Sequence, residues 1–222
     1  MADDIDLTDT FYGRCAQLYD LVATAPGVRS WRDLAAGTLD LSPGDTVVEM
    51  GCGTGANFPY LREWVGPGGC VVGVDVVPAM LARARRRIDR AGWDNVHTVC
   101  GDATQPPVAA ADAVLSTFLV GMLDAPGPAV RDWVTLVRPG GRVAMLNAGR
   151  SDRPVALPLN LLLRVFVRLT APGNRTSATA PVRALEANWT AAREALLEGT
   201  VDHRETRLGI GVVRLASGRA PD

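Results

Sequence analysis

The chain has 222 residues, 47% of them hydrophobic, and a formal net charge of −1. That length suits one α/β domain with a full core, and no apolar run is long enough to span a bilayer. All 23 basic residues are arginine, which excludes a P-loop lysine, a pyridoxal Schiff base and a Tyr-x-x-x-Lys dehydrogenase pair, and the near-neutral charge excludes a global attraction to nucleic-acid phosphate.

Cys15, Cys52, Cys70 and Cys100 show no C-x-x-C spacing, so neither a zinc site nor a disulfide framework is expected. The N-terminus carries Asp3, Asp4, Asp6 and Asp9 where a secretory signal would be basic and then apolar. A soluble protein of the reducing cytoplasm is the expectation.

The first predicted helix runs from Asp9 to Ala23, with Phe11, Cys15, Leu18 and Val22 at helical spacing. Tyr12 and Tyr19 stand seven apart on a neighbouring face, either packed on the core or covering a ligand pocket. A second helix is predicted over Ser30 to Leu39, where Ser30 and Asp33 make a capping-box-like start.

The turn Ser42-Pro43-Gly44-Asp45 introduces Thr46 to Met50, a β-branched run that reads as a buried strand. Gly51, Gly53 and Gly55 follow at once, then a helix from Asn57 to Val65. Glycines between a strand and a helix allow a sharp turn and a close ligand approach, beside a helix N-terminus at the carboxyl end of the strand. Gly51, Gly53 and Ala56 also satisfy the dinucleotide pattern G-x-G-x-x-G/A. Against that pattern stand Glu49 inside the strand end, the third glycine Gly55, and Asn57 opening the helix. Either reading calls for a nucleoside ligand.

Cys70 to Asp75 is predicted as strand two, and Asp75 lies about twenty residues past the glycine loop, where an acid can accept hydrogen bonds from ribose hydroxyls. Pro78 to Ala91 is a helix with Leu81, Ala84 and Ile88 inward and Arg83, Arg86, Arg87 and Arg90 on a solvated outer face, remote from the strand ends. Asn95 to Cys100 and Asp112 to Thr117 are strands three and four, and Gly127 to Val137 is a helix. Arg138 to Gly141 reads as a tight turn, and Arg142 to Ala148 as strand five.

Pro154 to Thr170 is strongly apolar, and its polar members from Asn160 onward, Asn160, Arg164 and Arg168, fall four apart on one helical line. This segment is a core helix, an interfacial helix or a hydrophobic lid over an acceptor pocket with Arg164 and Arg168 at its mouth. The last helix spans Pro181 to Glu198, and Val201 to Leu208 with Ile210 to Ala216 form an antiparallel strand pair. The expected fold is α/β, a doubly wound Rossmann-like sheet of about seven strands, mostly parallel with an antiparallel strand near the C-terminus. One domain is expected, with a helical cap (1–40), a ligand-binding core (41–148), a lid (149–180) and a last helix with its strand pair (181–222).

Val-Val-Glu-Met-Gly-Cys-Gly-Thr-Gly, residues 47–55, resembles the first motif of the class I S-adenosylmethionine-dependent methyltransferases. Leu136 to Val143 resembles the same family's stretch entering strand five, and Phe11 to Asp20 and the Ala-Ser-Gly-Arg-Ala-Pro ending resemble the branch that methylates quinones and phospholipids. The resemblance implies S-adenosylmethionine as donor, without a metal. Its implied ligands are Glu49, Gly51, Cys52, Gly53, Gly55, Asn57, Asp75, Val76, Met80, Asp102, Ala103 and Thr117, with Asp102 on the adenine amino group. Ser116-Thr117-Phe118-Leu119 after strand four matches neither the adenine nor the cytosine-5 DNA methyltransferase motif, so no nucleic acid is expected as partner. The expected acceptor is small and apolar or lipid-like, a phospholipid headgroup or an isoprenoid quinone, with peripheral membrane contact. Tyr12, Tyr19 and Asp20 are candidates to position it. His97, at the start of strand three, and His203, in the tail strands, are not expected to act as bases. The alternatives are an NAD(P)-binding oxidoreductase using the same glycine loop and an inactive donor-binding protein.

Overall fold

A computed structural model describes residues 26–157, 160–161 and 180–222. Seven strands form one sheet: β1 (Thr46–Met50), β2 (Cys70–Asp75), β3 (Val96–Cys100), β4 (Ala111–Thr117), β5 (Val137–Ala148), β6 (Val201–Leu208) and β7 (Val213–Arg219), in the order β3-β2-β1-β4-β5-β7-β6. β1 to β5 run parallel, and β7 inserts antiparallel between β5 and β6. The chain order reverses direction between β1 and β4, so the crevice above their carboxyl ends is the ligand position of a doubly wound sheet.

The β-branched composition of the central strands follows from burial on both faces. Successive residues sort to opposite sides. Val47, Leu115, Ala144 and Leu146 pack with α1 (Pro26–Gly37), α2 (Phe58–Val65) and α3 (Pro78–Ala91). Val48, Val114, Val143 and Met145 pack with α4 (Pro126–Leu136) and α5 (Ala180–Gly199). Phe58, Leu61 and Val65 on α2 are fully buried, as are Leu81 and Ala84 on α3.

Four expectations need correction. Helix α1 runs from Pro26, so Ser30 lies inside it rather than at its cap, and its hydroxyl donates to the Gly27 carbonyl at 2.8 Å. The Arg138–Gly141 turn is not a separate connection but a bulge within β5. Ala111 pairs with Val137 and Ala113 with Arg142, so four residues of β5 stand opposite the single Asp112 of β4. Gly141 is required there, because a Cβ would stand 2.1 Å from the Asp112 carbonyl oxygen. The last strand starts at Val213, since Gly209–Gly211 is a 3-10 turn with Ile210 at φ 55°. Arg87 does not belong to a remote outer face: its Nε donates to the Thr54 carbonyl of the glycine loop at 3.1 Å. Of Pro154–Thr170, the described residues form a 3-10 turn at Pro154–Ala156 with helical residues 157, 160 and 161, and the remainder of that expectation lies outside the described residues.

Candidate functional site

Three left-handed glycines, Gly51 (φ 68°), Gly53 (φ 55°) and Gly55 (φ 72°), carry the chain from β1 into α2. Gly51 and Cys52 both donate their N–H to the Val74 carbonyl, at 2.8 and 3.0 Å, which ties the loop to the end of β2. A Cβ on Gly55 would stand 2.5 Å from the Phe58 ring, so glycine is demanded by both space and backbone angle.

Asp75 closes the loop from the β2 side. Its Oδ2 accepts the Gly53 N–H at 2.8 Å and its Oδ1 the Val77 N–H at 2.9 Å. Burial pushes the carboxyl above its ordinary value, and the backbone donors at Val77, Gly53 and Val76 oppose that. The two oxygens offer about four lone-pair sites, so three backbone donors leave room for another. Asp102, exposed after β3, accepts the Thr104 N–H at 2.8 Å, and the neighbouring Ala103 carbonyl receives the Trp133 indole N–H at 2.7 Å. Met80 is buried, and Val76 is exposed at the rim.

Glu49 is the deepest of these groups, 1% exposed at the end of β1. Its Oε1 accepts from the Asn57 side-chain amide, while its Oε2, equally buried, has no hydrogen-bond partner among the described residues. Asn57 occupies the N-cap position of α2 but makes no cap bond, because its side chain turns into the site. The amide NH2 also donates to Thr117 Oγ1 at 2.8 Å. Arg32 Nη1 donates to Asn57 Oδ1 at 3.0 Å and to Thr117 Oγ1 at 2.8 Å, and the guanidinium lies 5.2 Å from the centre of the Phe118 ring. Burial raises the Glu49 carboxyl to about 8, opposed by Arg32, the Asn57 bond and Arg87, and reinforced by Asp75.

Glu49, Asn57 and Thr117 are thus joined directly, and Gly53 and Asp75 by one bond. Sequence reasoning missed Arg32. The signal was present: Arg32 stands three and four residues before buried Ala35 and Ala36, on the inward stripe of α1. Tyr12, Tyr19, Asp20, Arg164 and Arg168 lie outside the described residues. Among the described residues no group of three His, Cys, Asp or Glu side chains is placed to hold a metal ion, and no helix is long and apolar enough to cross a membrane.

A second concavity lies elsewhere. A cleft of about 400 Å³ lies at the amino ends of the strands, lined by Asp40, Asp112, Arg138 and Arg142 among others. Arg138 there pairs with Asp112, and Arg142 with Asp40 and Asp202.

Residues 47–141 match the family described as "Methyltransferase domain". The chain is 34% identical over 140 residues to nocamycin O-methyltransferase of Saccharothrix syringae, a match covering 60% of this chain and 48% of that one. It is 36% identical over 120 residues to 2-phytyl-1,4-naphtoquinone methyltransferase of Thermosynechococcus vestitus, covering 53% and 52%. The chain spans about half the length of these curated relatives. A SAM-dependent methyltransferase structure from Aquifex aeolicus superposes with a TM-score of 0.63 at 18% identity, over 85% of this chain and 89% of that one. Residues 47–141 of this chain are therefore similar to a methyltransferase domain, and the chain has the fold of the solved S-adenosylmethionine-dependent methyltransferases.

Proposed function

We propose that the protein transfers the methyl group of S-adenosylmethionine to a small apolar or lipid-like acceptor, with a phospholipid headgroup or an isoprenoid quinone as the leading classes. When bound, the donor supplies an already activated methyl on sulfur, so the protein's task is alignment, an effect worth up to ~7–11 kcal/mol. Glycines 51, 53 and 55 admit the donor to the backbone, Asp75 receives its ribose hydroxyls, and Glu49 Oε2 takes a cationic group. Asp102, Ala103, Val76 and Met80 line the adenine end.

The donor half rests on one observation: a fully buried carboxylate oxygen without a partner, under a loop of left-handed glycines. The acceptor half rests on another. Val155, Leu157 and Leu161 are 68%, 67% and 62% exposed just after the carboxyl end of β5, with Ile210 exposed beside them. Large apolar side chains standing in solvent on the ligand end of the sheet suit an apolar acceptor or a membrane surface. Exposed Arg153 and Arg207, with Asp152, line a small cleft of about 210 Å³ at the base of that segment, where the two guanidiniums outnumber the one carboxylate and favour an anionic headgroup. The similarity to a naphthoquinone methyltransferase supports the same acceptor class. The described cysteines are free thiols, which suits the cytoplasm.

Calorimetry with S-adenosylhomocysteine and with NAD(H) tests the donor, and binding of NAD(H) alone would return the protein to the oxidoreductase class. Incubation of the whole chain with methyl-labelled donor and a total lipid extract tests the acceptor. Label in the lipid phase is expected. Donor binding with no transfer to lipid would refute the lipid acceptor while leaving the donor assignment intact.

A further inference from the structure

We propose that Arg32 is a positioning residue for donor binding: by holding the Asn57 amide oxygen it directs the Asn57 NH2 onto Glu49 and keeps that carboxylate ready for a cation. The inference rests on Glu49 being a donor contact.

A guanidinium can only donate hydrogen bonds, so the Asn57 atom facing Arg32 must be Oδ1. The two amide hydrogens are then committed to Glu49 Oε1 and Thr117 Oγ1. Thr117 Oγ1 in turn accepts from both Arg32 and Asn57, which uses both of its lone pairs. Every atom of the Asn57 amide is specified, and the specification starts at Arg32. Without the guanidinium the amide is free to rotate and present its oxygen to Glu49. Two facing acceptors are compatible only if the carboxyl carries a proton, and a protonated Glu49 cannot pair with a cationic group.

The same guanidinium lies over Phe118, whose φ of 60° is unusual for a side-chain-bearing residue. Arg32 therefore joins the glycine-loop side of the site to the turn after β4. Four charged or titratable groups act with Glu49: Arg32 from α1, Cys52 from the loop, Asp75 from β2 and Arg87 from α3. Asp75 and burial favour the protonated form, so the two guanidiniums and the Asn57 bond are what permits ionisation, and Arg32 bonds the amide that touches the carboxylate.

The test is calorimetric titration of the whole chain with S-adenosylhomocysteine from pH 6 to pH 9, in wild type, Arg32→Gln, Arg32→Lys, Glu49→Gln and the two double variants. The ligand's own ionisation is common to all and cancels in the comparison. Arg32→Gln is expected to weaken binding about tenfold near pH 7 for each unit by which the Glu49 midpoint rises. Arg32→Lys should restore part of the midpoint. In a Glu49→Gln background the Arg32 substitutions should cost little more, because the group they act through is gone.

Losses that multiply in the double variants, or a pH midpoint unmoved by Arg32→Gln, would overturn the proposal. Unchanged affinity in Glu49→Gln would overturn both it and the assignment of Glu49. If thermal melting shows Arg32→Gln unfolded, the Arg32→Lys and Glu49→Gln cycle reads the same coupling, and multiplying losses there are equally decisive.

Discussion

Arg32 and Thr117 stand 85 residues apart in the chain, yet Arg32 Nη1 lies 2.8 Å from Thr117 Oγ1. That contact joins α1 to the end of β4 across the mouth of β1. It places a fixed positive charge beside the buried Glu49 carboxyl, and the energetics of the site follow from the pair.

Glu49 makes stability depend on pH in a definite direction. Its folded-state value of about 8 lies above the ordinary 4.5, so between these values the folded state holds a proton that the unfolded chain has lost. Stability from this group is complete below about pH 4.5 and is lost as pH rises toward 8, at roughly 1.4 kcal/mol per pH unit. Glu49→Gln mimics the protonated form. Thermal melts from pH 5 to pH 9 should show the variant gaining on wild type as pH rises. Parallel curves would mean the carboxyl is ionised throughout.

Asp75 orders the glycine loop as well as facing the ribose. Asp75→Ala removes the acceptor for two backbone N–H groups, at Gly53 and Val77. Weaker binding of S-adenosylhomocysteine by roughly 1.5–3 kcal/mol is expected in calorimetry. Asp75→Asn keeps one acceptor oxygen and should lose less. Equal affinity of Asp75→Ala and wild type would remove Asp75 from the site.

Gly55 and Gly92 provide a matched pair. Both are left-handed, at φ 72° and 64°, but a Cβ on Gly92 meets nothing within 4 Å while one on Gly55 meets the Phe58 ring. Gly92→Ala should therefore cost only the backbone term, roughly 1–2 kcal/mol, with donor binding intact. Gly55→Ala should cost more in urea unfolding and abolish donor binding. Similar losses for both would mean that crowding at the loop is relieved by movement of Phe58.

Arg142 is a stability determinant at the other end of the sheet. Its side chain is 3% exposed and pairs with Asp40 and Asp202, which Arg204 also contacts. Arg142→Met leaves both carboxylates half exposed with Arg204 still present, so a loss of roughly 1–3 kcal/mol is expected, below the full cost of breaking a buried pair. Donor affinity measured by calorimetry should not change. A large fall in affinity would mean the amino-terminal network is coupled to the glycine loop.

The elements were legible in the sequence wherever their cause is local. A β-branched run, three alternating glycines and an apolar stripe at helical spacing are contained within a few residues, and β1, β2 and α3 have the bounds read for them. The β5 bulge was not legible, because what makes Arg138–Gly141 part of one strand is the pairing on either side of it, of Val137 with Ala111 and of Arg142 with Ala113, some 26 residues or more earlier. Asn57 could be read as opening α2, but not as abandoning its cap for Glu49. Arg32 could be placed on the inward stripe of α1, but nothing local tied it to the site. In a chain whose basic residues are all arginine its identity carries no contrast, and only burial distinguishes it from Arg29. Its partners lie 25 and 85 residues away, and a guanidinium becomes informative only when tertiary packing removes water and leaves it the nearest donor to a buried carboxylate's amide.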